Sequence, residues 1–261
     1  MKNFPLAKLI QGLLMLVSVV LLTSFSSGKR TKLNIIFIGD SITEGSALPQ
    51  PSLEAPSIVI KQILTSKKQF TSVNIANLGF SGHTSFDFLP TTNKDFPKVM
   101  EAANALNKDT SATLIFSIML GTNDSAISGP SGSPISPEQY DQNLSKIIDV
   151  LSTQFPKAKF VIQYPLWYST NTQNNASYLE EGLNRLKNYL PKIDNLVKKY
   201  NQLSPKRVFA GDKSGFNFFE KNHITLYKPE QGKKGTFYLH PNADGSKELA
   251  KIWIKGILKA I

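Results

Sequence analysis

Short apolar runs alternate along the chain with longer segments in which apolar residues recur every three or four positions. Each run is bounded by Gly, Pro, Asn or Asp, and the runs span residues 33–38, 73–78, 113–120, 159–164 and 207–210. Continuous apolar runs of this length are typical of strands that are buried on both faces. The pattern therefore predicts five strands of a parallel sheet.

The longer segments carry the spacing of amphipathic helices. One helix is predicted to begin at Ser136, because Ser-Pro-Glu-Gln offers an N-cap, a proline at the first helical position and Gln139 for a capping box. A second helix is predicted over residues 176–200, bent or broken at Pro191, and a last one over residues 243–258. Strands that alternate with helices predict right-handed crossovers and a three-layer α/β/α sandwich.

The composition excludes several classes of protein. The chain has 261 residues, of which 41% are hydrophobic, enough for one sizeable core. It contains no cysteine, which excludes disulfide scaffolds, cysteine-ligated metal centres and cysteine nucleophiles. The net charge of +11 raises the question of nucleic acid. We expect no nucleic-acid binding, because the lysines form scattered pairs without a dense basic run or interleaved aromatic residues.

Residues 1–28 have the order of a secretory signal peptide. Lys2 and Lys8 precede an apolar run at residues 9–22, and small or polar residues follow the run. The run contains Gln11 and Ser18 and is shorter than the roughly 20 apolar residues that span a bilayer. We expect cleavage near residue 28, no stable membrane insertion afterwards, a folded domain over residues 29–261 and a secreted or periplasmic protein. An uncleaved N-terminal anchor is the alternative.

Four short motifs lie at the ends of predicted strands or just before the last helix. Residues 38–45 read IGDSITEG, residues 77–82 read NLGFSG, residues 121–124 read GTND and residues 240–242 read HPN. In this order and at these places, the motifs resemble the SGNH (GDSL-type) hydrolase superfamily. The resemblance implies a flavodoxin-like, five-stranded parallel sheet between helices, and an esterase or lipase that cuts acyl esters.

Ser41 is the expected nucleophile. A serine at a strand-to-helix turn can expose its hydroxyl and its backbone N–H at the mouth of the sheet. The resemblance implies that the backbone N–H of Gly79 and the side-chain amide of Asn123 join the Ser41 N–H in an oxyanion hole, a set of donors for the attacked carbonyl oxygen. Asp40 and Asp124 are interpreted as turn supports that accept nearby backbone N–H groups, without a catalytic role.

Histidine is the base matched to neutral pH, and the chain contains three. His240 is the expected catalytic base because it directly precedes Pro-Asn and the last helix, as the family's histidine does. We expect His83 either to line the pocket or to be an ordinary partly buried histidine, and His223 to be exposed in a polar loop. No H-x-x-E-H pattern occurs, so we expect no catalytic metal and no cofactor.

The acidic partner of His240 departs from the family pattern. Members usually carry an aspartate three positions earlier, which orients the imidazole and stabilises its charged form, and here that position is Phe237. Three explanations are open. Another carboxylate can reach the histidine, with Glu230, Glu220 and Asp212 the nearest upstream candidates; a backbone carbonyl or water can orient a Ser–His dyad, which we favour; or the protein is catalytically dead.

Two loops bear on the substrate. Residues 125–136 are rich in Gly, Ser and Pro, and residues 166–175 are rich in aromatic residues and amides. Such side chains suit a sugar ring, although Trp167 can equally cap the core. We therefore expect a serine esterase that hydrolyses acyl esters, foremost acetyl esters, on a carbohydrate through an acyl-enzyme. A lipid or lysophospholipid acylhydrolase and a non-catalytic glycan-binding relative are the alternatives.

Overall fold

The five predicted strands form one parallel sheet in the computed structural model, which describes residues 30–261. The strands are β1 (Thr31–Gly39), β2 (Phe70–Gly79), β3 (Thr113–Met119), β4 (Lys159–Ile162) and β5 (Val208–Ala210). Their spatial order is β2-β1-β3-β4-β5, the flavodoxin-like order that was expected. The predicted signal peptide, residues 1–28, lies outside the described residues.

Helices cover both faces of the sheet, as the continuous burial of β1 from Leu33 onward requires. They are α1 (Ser41–Glu44), α2 (Pro51–Glu54), α3 (Pro56–Thr65), α4 (Phe96–Leu106), α5 (Pro137–Gln154), α6 (Leu179–Leu203), α7 (Ser214–Lys221), α8 (His223–Leu226) and α9 (Ala243–Lys259), with a 3-10 turn at Pro90–Thr92. The α3 helix packs against α9, and α5 packs against α6. Within residues 30–261, no helix combines the length and apolarity needed to cross a bilayer.

The predicted start of α5 is confirmed. Ser136 is the N-cap, and its hydroxyl accepts the backbone N–H of Gln139 at 3.1 Å. The reciprocal half of the capping box does not form, because the Gln139 amide donates to the Asn143 side chain one turn further along instead. The last helix also begins where predicted, with Asn242 as its N-cap.

The α6 helix differs from the expectation at both its start and its middle. It continues through Pro191, so the predicted break is wrong. Buried residues on both sides of the proline, among them Tyr189 and Ile193, hold both halves of the helix on one apolar face and offset the lost backbone hydrogen bond. The helix begins at Leu179 rather than near 176, because Ser177 pairs with Ser128 and Gln173 as a short bridge.

An antiparallel hairpin precedes α9 and is absent from the predicted elements. Its strands are β6 (Tyr227–Gly232) and β7 (Gly235–Pro241). A proline, two glycines and several lysines interrupt the alternation of apolar and polar residues that would have indicated strands. The hairpin matters for the site because His240 stands near the end of β7.

Candidate active site

The carboxyl ends of three neighbouring strands meet at one edge of the sheet. Gly39 at the end of β1 is in register with Gly79 of β2 and with Met119 of β3. The loops that follow these strands therefore start side by side, which is where ligands bind in open parallel sheets. A cavity of about 910 Å³ lies here, and Ser41, Asn123 and His240 all line it.

Ser41 is the first residue of α1 and carries its hydroxyl directly to His240. The side chain of Asp40 caps this one-turn helix by accepting the Ile42 N–H at 3.0 Å, and Gly45 ends it with a φ of 79°. The tight turn leaves the serine half-buried at the cavity. Its Oγ lies 2.9 Å from His240 Nε2, within the range for proton transfer between a nucleophile and its base.

Glu230 occupies the other side of the same imidazole. Its Oε1 lies 2.8 Å from His240 Nδ1 and 3.3 Å from the His240 backbone N–H. Both side chains are largely buried, at 14% exposure for His240 and 19% for Glu230. The structure thus favours the alternative in which another carboxylate orients the histidine over the Ser–His dyad. Glu220 and Asp212, the other two candidates, lie elsewhere, with Asp212 paired to Lys255.

Asn123 is buried and held from both ends of its amide. The Tyr178 hydroxyl donates to Asn123 Oδ1 at 2.6 Å, and Asn123 Nδ2 donates to the backbone carbonyl of His83 at 2.9 Å. Because a backbone carbonyl can only accept, Nδ2 must face His83, and the Tyr178 hydroxyl on the other side then donates to Oδ1. One Nδ2 hydrogen is left for the cavity. Burial raises the pKa of Tyr178 well above its usual range, so the hydroxyl keeps its proton.

Gly79 does not join the other predicted residues in the cavity. Its backbone N–H donates to the Asn77 side chain at 3.0 Å, and an added Cβ would lie 2.1 Å from the Glu44 backbone nitrogen. Gly79 is therefore a packing glycine under α1. Gly82 lines the cavity instead, with a φ of 77°, open space around its Cα and a backbone N–H that has no partner among residues 30–261. The motif NLGFSG contains both glycines, so the sequence offered Gly82 as a second candidate within the same motif.

Asp40 and Asp124 support the turns as interpreted. Asp124 accepts the backbone N–H of Ser85 at 3.0 Å and that of Gly121 at 3.2 Å, which ties the loops after β2 and β3 together. Both carboxylates are fully buried. Burial raises the pKa of each of them to about 6, against the opposing effect of their hydrogen bonds.

The remaining two histidines have different surroundings. His83 lines the cavity and is also partly buried, with Nδ1 against the Asp95 carboxylate. The expectation that His223 is exposed is wrong, because its ring is partly covered between Trp167 at 5.1 Å and Tyr238 at 4.9 Å. Trp167 itself is 9% exposed and packs against Tyr227, so it caps the core and does not line the cavity.

Most of the residues that line the cavity have polar side chains. Lys94 and Lys233 bring charge, and Tyr178 and Leu239 are among the few larger apolar surfaces. The other polar members are Ser46, Ser81, His83, Ser131, Gln173, Asn174, Asn175 and Gln231. Both loops singled out in the sequence contribute, one through residues 129–131 and the other through residues 173–175.

A second, very small cavity adjoins the serine. Its volume is about 10 Å³, and Ser41 and His240 line it together with Ala47, Leu48 and Pro56. A space of this size holds at most about one water molecule.

Comparison with known proteins finds a matching family model and solved structures with the same fold. A model of the GDSL-like lipase/acylhydrolase family matches residues 37–247. An acetylxylan esterase from Geobacillus stearothermophilus shares 19% identity at a TM-score of 0.59, over 88% of this chain and 96% of its own. An alpha/beta hydrolase enzyme from the metagenome of Lake Arreo, Spain, shares 14% identity at a TM-score of 0.59, over 90% of this chain and 100% of its own. No curated protein matches the chain.

Proposed function

The chain belongs to the GDSL-like lipase/acylhydrolase family and is an ester hydrolase, and we propose that its substrate is an acetyl ester of a carbohydrate. The observation that carries the proposal is the set of amide and hydroxyl side chains that line the cavity around Ser41 and His240. Amide and hydroxyl side chains match the hydroxyls of a sugar, since each can donate and accept hydrogen bonds. A lipid chain of similar size would leave these groups without partners, which costs free energy.

The small cavity beside Ser41 supports acetyl as the acyl group. Its volume of about 10 Å³ leaves no room for a long acyl chain, which is consistent with an acyl group as small as acetyl. The sugar would then occupy the larger cavity on the other side of the scissile ester. The fold is shared with an acetylxylan esterase, which is consistent with this substrate class.

In the proposed first half-reaction, Ser41 Oγ attacks the acetyl carbonyl carbon while His240 Nε2 takes the hydroxyl proton, along the 2.9 Å contact between them. His240 then gives this proton to the sugar oxygen as the carbon–oxygen bond of the ester breaks. Glu230 holds the imidazole by Nδ1 and balances its positive charge in between. The sugar leaves, and the acetyl group stays on Ser41.

In the second half-reaction, water attacks the acetyl-Ser41 carbonyl and gives a proton to His240, which returns it to Ser41 Oγ as the Oγ–carbon bond breaks and acetate leaves. Both steps place negative charge on the carbonyl oxygen. We propose that the backbone N–H groups of Ser41 and Gly82 and the free Nδ2 hydrogen of Asn123 stabilise it, with Gly82 in the place first expected for Gly79. A single donor of this kind is worth about 10²- to 10³-fold in kcat.

The experiment that tests the function is acetate release from a panel of acetylated carbohydrates, beside p-nitrophenyl acetate and p-nitrophenyl octanoate. We expect turnover of acetylated sugars and a strong preference for acetate over octanoate, all abolished in Ser41→Ala. A preference for octanoate with no acetate release from any sugar would establish the lipid acylhydrolase instead. Wild-type turnover equal to that of Ser41→Ala would refute the proposal that Ser41 is the nucleophile.

We further propose that residues 1–28 are a signal peptide and that the enzyme acts outside the cytoplasm. The order of charged, apolar and small residues supports this. Expression of the full chain in a bacterial host, followed by N-terminal sequencing of the mature protein, tests it. A mature protein that keeps residue 1 would contradict the proposal.

A further inference from the structure

A second histidine–carboxylate pair, His83 and Asp95, faces the cavity and has no role in the proposed acyl transfer. His83 lines the same cavity as Ser41 and His240, and its ring is 22% exposed. Its Nδ1 contacts the carboxylate of Asp95, which is completely buried. Asp95 is thus enclosed by the protein, whereas the His83 ring is partly accessible to a molecule bound in the cavity.

The backbone around His83 is held at several points. Its N–H donates to the Phe80 carbonyl at 3.2 Å, and its carbonyl accepts from Asn123 at 2.9 Å. The ring also packs beside Phe80 at 5.5 Å between centroids. A side chain positioned this firmly can contribute to recognition without first losing much conformational entropy.

Asp95 determines which atom of the imidazole is free. To bond a carboxylate, Nδ1 must carry its hydrogen, and in the neutral ring Nε2 is then an acceptor. No group within residues 30–261 hydrogen-bonds to this Nε2. Asp95 also has a second counterion, Lys98, at 3.2 Å, so neutralising the buried carboxylate does not depend on the histidine alone.

We infer that His83, held by Asp95, is a specificity residue that accepts a hydrogen bond from a free hydroxyl of the sugar next to the acetyl ester. The inference rests on the proposed carbohydrate substrate and concerns only the leaving-alcohol side of the site. A site that satisfies a substrate hydroxyl discriminates against a substrate without one, because the polar group of the protein is then left unpaired. His83 acts here in binding and takes no part in proton transfer at the ester.

Two substitutions of similar size separate the two nitrogens. In His83→Asn, the side-chain amide replaces Nδ1 and keeps a donor for Asp95, while the position of Nε2 is empty. In His83→Gln, the amide reaches the position of Nε2 instead. The probes are p-nitrophenyl acetate, whose leaving group has no free hydroxyl, a mono-O-acetylated methyl xyloside with free neighbouring hydroxyls, and the fully acetylated methyl xyloside.

We expect His83→Asn to lower kcat/KM on the mono-acetylated xyloside by about tenfold, mainly through KM. The values for p-nitrophenyl acetate and the fully acetylated xyloside should stay within about twofold, and His83→Gln should recover part of the loss. An equal loss on all three probes, or no loss on any, would overturn the inference and leave the esterase intact. A wild type that cleaves p-nitrophenyl acetate but neither xyloside nor any other acetylated sugar would refute the carbohydrate substrate itself, and this inference with it.

Discussion

Glu230 Oε1 lies 2.8 Å from His240 Nδ1, although ten residues separate the two in the chain. The β6–β7 hairpin brings them together. Glu230 pairs across the hairpin with Phe237, the position three residues before the histidine at which family members usually carry their aspartate. The carboxylate is therefore supplied by the neighbouring strand, and the longer glutamate side chain spans the extra distance to the imidazole.

Glu230→Gln should reduce kcat by about 10²- to 10⁴-fold with little change in KM, because the imidazolium formed during attack loses its negative partner. Steady-state kinetics with p-nitrophenyl acetate measure this. Glu220→Gln is the matched control, since Glu220 is another glutamate upstream of His240 in the chain and has no hydrogen bond to it, and it should stay within about twofold of wild type. Similar kinetics for both variants would show that His240 works without an acid.

Tyr178→Phe should lower kcat by about tenfold and leave KM nearly unchanged. Without the hydroxyl that donates to Oδ1, only the bond from Nδ2 to the His83 carbonyl holds the Asn123 amide, so its donor is less firmly positioned for the developing negative charge. Tyr168→Phe is the control, because that hydroxyl contacts Ser125 and not Asn123. A fall in thermal stability for Tyr178→Phe with unchanged kcat would assign the tyrosine to packing alone.

Gly79→Ala and Gly82→Ala should separate the packing glycine from the cavity glycine. The new Cβ at Gly79 meets the backbone of α1, so we expect a loss of about 3 kcal/mol in the free energy of unfolding. At Gly82 the Cβ enters open space, and only the positive φ costs about 1 kcal/mol. Urea unfolding of both variants checks the order, and a Gly82→Ala protein less stable than Gly79→Ala would contradict it.

The buried Asp40 and Asp124 should make the protein less stable as the pH rises from about 4 to about 6. Burial raises the pKa of each carboxyl to about 6, from an ordinary value of 3.8. In this range the folded state binds more protons than the unfolded state, so the free energy of unfolding falls with increasing pH, by on the order of 2–3 kcal/mol per group.

Asp40→Asn keeps the acceptor for the Ile42 N–H and removes the ionisation. We expect this variant to show a shallower fall in stability than wild type when urea unfolding is measured from pH 4 to pH 8. Asp124→Asn should act in the same direction. An unchanged pH dependence in both variants would mean that these carboxylates do not ionise as their burial requires.

Local residue patterns predicted the sheet, the main helices and most of the candidate site residues. The apolar runs predicted all five strands, and the Ser-Pro-Glu-Gln motif predicted the start of α5. Ser41, Asn123 and His240 were singled out because their short motifs resemble those of SGNH hydrolases, and all three line one cavity. Strands, helix starts and turns depend on hydrogen bonds and packing within a few residues, so the local sequence is enough to predict them.

Contacts between residues far apart in the sequence decided the other features of the site. Only the register of the hairpin selects Glu230 over Glu220 and Asp212, and only the packing of α1 on the end of β2 assigns Gly79 to the core and Gly82 to the cavity. Tyr178, which no motif singled out, reaches Asn123 for the same reason, and Trp167 is buried in the core. These outcomes depend on contacts between residues far apart in sequence, and no local periodicity encodes the geometry of such contacts.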